Sequence, residues 1–456
     1  MNSLFNIGYS GIRAAHTQLN VTALNTANLA TPGYTRQRVE QMAIGPMGQV
    51  RFDSGSGVAV TSIRRMADQF LIGQVWRSNS EENFFATSQN YLGQLETFVG
   101  SETSGLGEGL NNLFGALSGA TERPENQAMR QNVLSNAKML ATRFNKFQEF
   151  INKQHSDIRT QQQNSIGSIN VLSSNIADYN RKITESEARG GDTSILRDQR
   201  DELVKQLSGF IDVRINETPE GSYTVALKNG QPLVSGSTAG TLVFDESGGN
   251  HSLSLSFSST SFAVDMDGGG ALGALYQYET ETLNGIEESI QGMAQSLAST
   301  FNSQLAAGFD INGNPGKPLF SFDLSNPNGM LQITDLTWDE LAFSSIPDAS
   351  GNNNNLQELI KVGGLTMDIP GMGSSTLSGA SATIVGTVAT HSRDNQAALE
   401  AASTLMTQAE NDRSNYSSVS EDEEGINLIV YTKAYQSNMK VISTGDQIFN
   451  DLLALF

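Results

Sequence analysis

The sequence predicts an α+β multidomain protein: coiled-coil-like terminal helices, a long helical bundle, and β-rich modules inserted at its tip. Three observations carry this expectation. First, the two ends hold matching seven-residue repeats. Phe5, Ile12, Leu19 and Thr26 keep the period near the start, with Gly8, Ala15, Thr22 and Leu29 between them. Leu428, Tyr435, Ile442, Phe449 and Phe456 keep it at the finish, with Thr432, Met439 and Leu453 interleaved. Second, a far longer repeat occupies residues 125 to 187. Third, alternating apolar stretches flank Asn229-Gly230, a hairpin turn signal. Spacing of three and four residues draws an apolar seam along a helix, and such seams are buried by a partner helix.

In chain order, residues 3 to 30 read as one amphipathic helix, stopped by Pro32-Gly33 because proline disfavours helix just before it. Residues 34 to 65 alternate polar and apolar with several glycines, which predicts a loop with short strands. Helical spacing returns from about 66 to 120. Phe84, Ser88, Tyr91, Leu95 and Phe98 mark one seam, and Leu106, Leu110, Leu113 and Leu117 another, with a glycine-rich break around 100 to 105. In the long segment Ala137, Phe144, Ile151, Ile158, Ser165, Leu172 and Tyr179 are seven apart, with Val133, Leu140 and Phe147 as companions. At the helical rise this is a rod of roughly 80 to 90 Å. Gly190-Gly191 ends it, and a short helix from Thr193 to Leu207 follows. Residues 210 to 266 read as β, with Tyr223 to Leu227 and Leu253 to Phe257 alternating. Another helix spans about 271 to 307. Residues 308 to 380 are rich in Gly, Asn, Ser and Pro, with short apolar pieces such as Met330 to Ile333. Helix is predicted again from Ser381 to Asn415 and from about 422 onward.

This order is nested, so the ends are expected to pair at the base and the β modules to lie at the tip. Residues 1–45 with 420–456 form the predicted terminal pair. Residues 46–210, 271–307 and 381–419 form the helical bundle, and 211–270 with 308–380 the β-rich outer module. At 456 residues the chain has room for several cores. Its 28 Lys and Arg against 48 Asp and Glu leave a net charge of −20. That balance argues against nucleic acid, whose phosphates require a basic face. No acid precedes Glu40, whereas Arg13, Arg36 and Arg38 do, and residues 421 to 424 are all acidic. A basic N-terminal segment facing an acidic C-terminal one, and acids placed to suit a helix dipole, both fit this pattern. The absence of cysteine excludes disulfides and thiol chemistry, and suits a protein that works outside the cell. No apolar run is long enough to insert in a membrane. The N-terminus lacks the pattern of a cleavable secretory signal, so export is expected to take another route.

Enzyme chemistry finds no support in the residues, and no cofactor or metal is called for. His16, His155, His251 and His391 are scattered singly and read as ordinary surface or packing histidines. Gly316-Lys317 lacks the leading glycine of a phosphate loop, and Pro318 stands where the magnesium-binding hydroxyl belongs. Asp310, Asn312 and Asn314 alternate like the start of a calcium loop. Pro315 and Ser321 then replace the turn glycine and the closing glutamate, so a turn is expected. Asp198, Asp201 and Glu202, interleaved with Arg197 and Arg200, read as a salt-bridged solvated helix face.

Residues 25 to 38, NTANLATPGYTRQR, closely resemble the N-terminal signature of bacterial flagellar axial proteins, the rod, hook and hook-associated proteins. Ile7 to Ile12 fit the same pattern. Asp422-Glu423-Glu424, then Tyr431, Ala434-Tyr435-Gln436 and Val441-Ile442, resemble their C-terminal signature. Residues 195 to 204, ILRDQRDELV, the hairpin Asn229 to Val234, and Asn302 to Phe320 with Gly308, Asp310, Gly313 and Gly316 narrow the resemblance to the hook-associated members. Thr26 replaces the usual isoleucine, softening one core position, and Ser418, Ser420 and Glu421 depart from the usual entry to the last helix. The chain is short for this resemblance, which implies that an outer domain of some members is absent.

The resemblance implies a structural protein of the bacterial flagellum joining hook to filament, exported unfolded by type III secretion and polymerising outside the cell through its terminal helices. The implied partners are further copies of itself in a ring or short helical layer, the hook protein and the second junction protein. A cytoplasmic export chaperone is expected over Leu428 to Leu453. Neither nucleic acid nor membrane insertion is implied. The expected assembly interface comprises Phe5, Ile12, Leu19 and Leu29 facing Leu428, Tyr435, Met439, Ile442, Phe449 and Leu453. Pro32, Gly33, Tyr34 and Arg36 would shape the turn that leaves the inner helix. Small residues in the seam bury little area, so both termini are expected to be disordered in the free chain and to fold on assembly. The alternatives are another axial protein, such as the hook protein or the second junction protein, an enzyme hidden in the β modules, and an exported effector or adhesin.

Overall fold

The computed structural model describes residues 2–45, 55–101, 105–245, 252–258 and 260–454. Phe456 and His251 lie outside them. The chain forms two compact units, one of residues 1–83, 166–270 and 402–456, the other of residues 84–165 and 271–401.

The first unit opens with α1 (Asn2–Ala27) and a hairpin of β1 (Gln37–Ile44) and β2 (Gly57–Arg65). The hairpin is antiparallel, with Gln37 opposite Arg65 and a bulge at Glu40/Gln41. The beginning of α2 (Gln69–Val99) follows. The long helix α4 (Gln127–Ala188) gives the unit its residues from 166 on, and α5 (Ser194–Phe210) leads into the β region. There, β3 (Val213–Glu217), β4 (Tyr223–Leu227), β5 (Pro232–Ser235) and β6 (Thr238–Ala239) form a meander. A second meander consists of β7 (Thr241–Asp245), β8 (Ser252–Phe257) and β9 (Thr260–Val264). Tyr223, Val225 and Leu227 on β4 and Leu253 and Leu255 on β8 are buried in alternation, the period expected of half-buried strands. The Asn229-Gly230 turn joins β4 to β5 as predicted.

The second unit holds the rest of α2, α3 (Leu106–Gly119) and α4 up to residue 165. It continues through α6 (Gly270–Gln277), a π-helical turn at Tyr278–Leu283, and α7 (Asn284–Ala306). Short hairpins β10 (Phe320–Phe322) with β11 (Leu331–Ile333) and β12 (Met367–Ile369) with β13 (Gly373–Ser375) frame α8 (Asn354–Val362). The helix α9 (Leu377–Ser417) begins here, and α10 (Glu421–Leu453) closes the chain in the first unit. The predicted seams are buried: Leu106, Leu110, Leu113 and Leu117 on α3, and Val133, Ala137, Leu140, Phe144, Phe147, Ile151 and Ile158 on α4. The loop-rich stretch contributes more core than its composition suggests, since Leu319, Phe320, Leu331, Phe343, Leu356 and Leu359 are buried with them.

The units cut across the division expected from the sequence. Residues 211–270 belong to the first unit and most of 308–380 has its core in the second, so the two β-rich pieces do not form one module. The reason is that each buries its apolar residues on neighbouring helices. The meander does so beside α4 and α5, and residues 308–380 do so in the cluster of α3, α4 and α7.

A single device recurs where helices meet strands. The amide of a helical asparagine bonds both backbone groups of one strand residue, or of two adjacent ones. Asn180 Nδ2 donates to the Tyr223 carbonyl at 2.8 Å while its Oδ1 accepts from Tyr223 N at 2.9 Å. Asn170 clasps Leu242 and Asn145 clasps Leu331 in the same way. Asn302 accepts from Leu319 N and Phe320 N and donates to the Phe320 carbonyl. Buried strand edges leave backbone groups that must be satisfied, and a carboxamide matches their donor and acceptor together.

His155, expected to be an ordinary packing histidine, is clasped between Glu279 in the π-turn, at 2.9 Å, and Glu287 on α7, at 3.2 Å. Hydrogen bonds to Glu279 and then Glu287 raise its pKa to about 9, against burial, which lowers it. The folded value lies above that of an unfolded histidine, near 6.5, so the folded state binds the proton more tightly. The clasp therefore stabilises fully below pH ~6.5 and is lost as pH rises through about 9. We expect His155→Gln to lower Tm most near pH 6 and very little near pH 10, measured by thermal unfolding across that range. A difference independent of pH would refute the charged clasp.

Candidate assembly interface

α1 and α10 pair through small residues. Gly8, Ala14, Ala15, Val21 and Thr22 of α1 are buried, as are Glu424 and Gly445 of α10. A Cβ on Gly8 would sit 2.8 Å from Ile442 Cγ1, and one on Gly445 3.5 Å from the Phe5 ring. A Cβ on Gly11 would collide with the Asn438 amide. At Gly8 and Gly11 side chains of α10 sit where a Cβ would stand, so α1 must be bare there, whereas the distance at Gly445 is an ordinary contact.

The seam on α10 therefore runs through Glu424, Tyr431, Asn438 and Gly445, one position round from the predicted repeat. Phe5, Ile12, Leu19, Tyr435 and Ile442 are partly buried, as befits residues flanking it. Leu428, Met439, Phe449 and Leu453, expected to face α1, are instead exposed by 47%, 48%, 45% and 59%. Leu29 is exposed beyond the end of α1. Thr26 is also exposed, its hydroxyl bonding the Thr22 carbonyl at 2.9 Å, so it occupies no core position. On α1 the small residues Gly8, Ala15 and Thr22 of the interleaved repeat are buried as expected, whereas on α10 the repeat had been read from large apolar residues and the closest packing selects the small and polar ones beside them. A stripe of large apolar side chains is left uncovered, together with Ile426, Ile429 and Val430.

The turn leaving α1 is fixed by Asn25. Its amide clasps Gln37 at 3.0 Å in both directions and accepts from the Tyr34 hydroxyl at 2.9 Å. Pro32 is exposed, and Gly33 has φ of +78°, a left-handed conformation that favours glycine. Arg36 bonds Glu424 at 2.8 Å and also pairs with Glu423. The basic N-terminal segment thus does meet the acidic start of α10. Burial, with the charges of Asp198 and Glu424, pushes the Tyr34 hydroxyl up to about 12, so it stays neutral and donates.

The acid-rich helix α5 is not a solvated face. Asp198, Arg200 and Asp201 are buried. Arg65, at the end of β2, bonds Asp198 at 2.9 Å and Asp201 at 2.7 Å. Thr35 N donates to Asp198 and the Tyr223 hydroxyl to Asp201. The Arg200 guanidinium lies 3.3 Å from the centre of the Tyr223 ring. The interleaving of charge on α5 was visible in the sequence, but Arg65 lies 133 and 136 residues from its two aspartates and no local spacing reveals it. Among the described residues no His, Asp and Glu grouping is suited to a metal. In the calcium-like stretch the Asp310 carboxylate is taken up by Asn312 N and Asn314 N, each at 2.8 Å.

Residues 92–320 match the model of the flagellar hook-associated protein FlgK helical domain. The chain belongs to the FlgK family. Residues 413–455 match the model of the flagellar basal body rod FlgEFG protein C-terminal region, which takes in the whole of α10. The FlgK-family chain is 27% identical to flagellar hook-associated protein 1 of Salmonella typhimurium over 74% of its own length. That match spans 63% of the Salmonella protein, less than two thirds of it. It is 24% identical to flagellar hook-associated protein 1 of Bacillus subtilis, covering 97% of the chain and 96% of the relative. Among solved structures, the flagellar hook junction protein FlgK from Burkholderia pseudomallei shares the fold, with a TM-score of 0.67 and 16% identity over 75% of this chain and 99% of that one. These relatives bear the names of flagellar structural proteins, not of enzymes.

Proposed function

We propose that this chain is a structural protein of the bacterial flagellum that forms the junction between hook and filament. The observation that carries the reading is the uncovered apolar stripe of Leu428, Met439, Phe449 and Leu453 on a terminal helix whose other face is paired with α1. A soluble protein rarely leaves such a stripe bare, and further copies with the same pair of helices can cover it. FlgK-family membership gives this surface its setting. The protein is exported by type III secretion and acts outside the cell. There it polymerises through its terminal helices as an inner layer, with the hook protein and the second junction protein as its axial neighbours. Phe5, Ile12, Leu19, Leu29, Pro32, Gly33, Tyr34 and Arg36 serve the interface with Tyr435, Ile442 and the exposed stripe. A chaperone over Leu428 to Leu453 keeps the same apolar face covered in the cytoplasm.

Immunogold electron microscopy with an antibody to residues 211 to 266 tests the reading. A narrow band of label between hook and filament is expected. Label along the whole hook would make the chain a hook protein, and absence from the flagellum would end the axial reading.

A further inference from the structure

A groove of about 550 Å³ opens in the first unit between the turn at Pro32–Tyr34, α4 and α5. Its apolar surface comes from Tyr34, Tyr179, Ile195 and Leu203, and Ile195 is 45% exposed. The carboxylates on its walls are unequal. Asp178 is tied to Lys182 and Arg181, and Asp198 to Arg65. Glu202 reaches only the amide of Gln206, at 3.4 Å, and no cation among the described residues. The same chain carries a surface of opposite character on the outer face of the β1–β2 hairpin. Arg38 and Arg64 are direct cross-strand partners there. Arg64 has a single long contact with Glu40, at 3.6 Å, and its side chain is 73% exposed. Arg38 is exposed and has no carboxylate partner among the described residues. Met42, on the same strand, is 58% exposed. Like charges directly opposite on a hairpin repel, and Glu40 offsets Arg64 alone, so Arg38 keeps a charge that a further anion would relieve.

We infer that the hairpin face of one copy, through Arg38, Arg64 and Met42, docks in the Tyr34–Tyr179–Glu202 groove of a second copy. Glu202 pairs with Arg38, the Tyr34 ring accepts a guanidinium over its face while Tyr179 already holds the Lys182 ammonium 4.9 Å from its ring centre, and Met42 covers Ile195 and Leu203. Burial is the main cause of the raised Tyr34 hydroxyl, and the carboxylates of Asp198 and Glu424 that add to it favour a cation at the same place. The contact is head to tail, since the two patches differ, which suits a ring or helical layer better than a closed dimer. It rests on the assembly reading above and assigns that assembly a second contact outside the terminal helices.

The chain has no cysteine, so engineered thiols are its only ones. Two full-length copies with different tags, one carrying Met42→Cys and the other Ile195→Cys, are co-expressed, and isolated hook–filament particles are treated with a short bis-maleimide. Both positions are exposed, so neither change disturbs the fold. Particles containing both copies are expected to yield a covalent species bearing both tags, at least about tenfold above pairs in which both copies carry Met42→Cys. Particles that contain both copies without that species overturn the hairpin–groove contact while leaving the junction reading intact. Preferential linkage between two Met42→Cys copies likewise overturns it. Absence of the wild-type chain from the particles fails the junction reading itself.

Discussion

Replacing Arg65 by methionine is expected to destabilise the first unit by about 3–5 kcal/mol, the cost of removing one partner from a buried ion pair. The size follows from what is left behind. Arg65 is 8% exposed, and Asp198 and Asp201 are 7% and 2% exposed. Methionine fills much of the volume and supplies no charge, so two carboxylates remain in a site from which water is excluded. Asp198 is already raised above the usual aspartate range by burial, opposed by Thr35 and Arg65. Without Arg65 it rises further. A carboxyl whose folded pKa exceeds its unfolded one binds the proton more tightly when folded. Its penalty is therefore relieved as pH falls through the folded value. Between about pH 7 and 5 the variant should accordingly recover more stability than the parent, whose Asp198 is raised less. Denaturant unfolding at both pH values checks this. A loss below about 1 kcal/mol at pH 7, the size typical of surface pairs, would mean that water reaches the site.

That network also shows what could be read in the sequence. Helix periods on α3 and α4 were legible because each seam repeats every three and four residues and is buried along its length, from Leu106 to Leu117 and from Val133 to Ile158. The β4–β5 turn was legible because Asn-Gly suits its backbone. On α10 the seam was placed one position out, since Asn438 and Gly445 leave no apolar mark, whereas on α1 Gly8, Ala15 and Thr22 are buried where the interleaved repeat put them. The core of residues 308 to 380 was missed for a similar reason. Its order comes from sites where a side chain cannot fit, with a Cβ on Gly308 colliding with the Asn355 amide and one on Gly316 with the Leu305 carbonyl. Arg65 with Asp198, His155 with Glu279, and Asn145 with Leu331 join residues separated by more than a hundred positions. Only the folded chain brings them together.

Ile442→Asp is expected to remove the chain from assembled flagella while the meander β3–β6 and the second unit keep their fold. Ile442 is partly buried against Gly8, in a seam where Val21 and Phe5 are the other large apolar contributors among glycine, alanine and polar residues. Fully burying an isoleucine contributes about 1.5–3 kcal/mol, and few other contacts in this seam reach that size. A carboxylate there removes the contact and demands hydration, so α1 and α10 separate and the surface presented to neighbours is lost. Phe449→Asp separates the two roles of α10. Phe449 is 45% exposed and lies off the seam, so its replacement leaves the α1–α10 pair intact within about 0.5 kcal/mol. If the stripe is the assembly surface, both variants are missing from isolated filaments, but only Ile442→Asp loses the amide protection over residues 5 to 30 that a paired α1 gives the free parent; no protection in the parent would mean that the pair forms only on assembly. Normal swimming with Ile442→Asp would show that assembly does not depend on the pair. Normal incorporation of Phe449→Asp would move the contact surface away from the stripe and back to the seam.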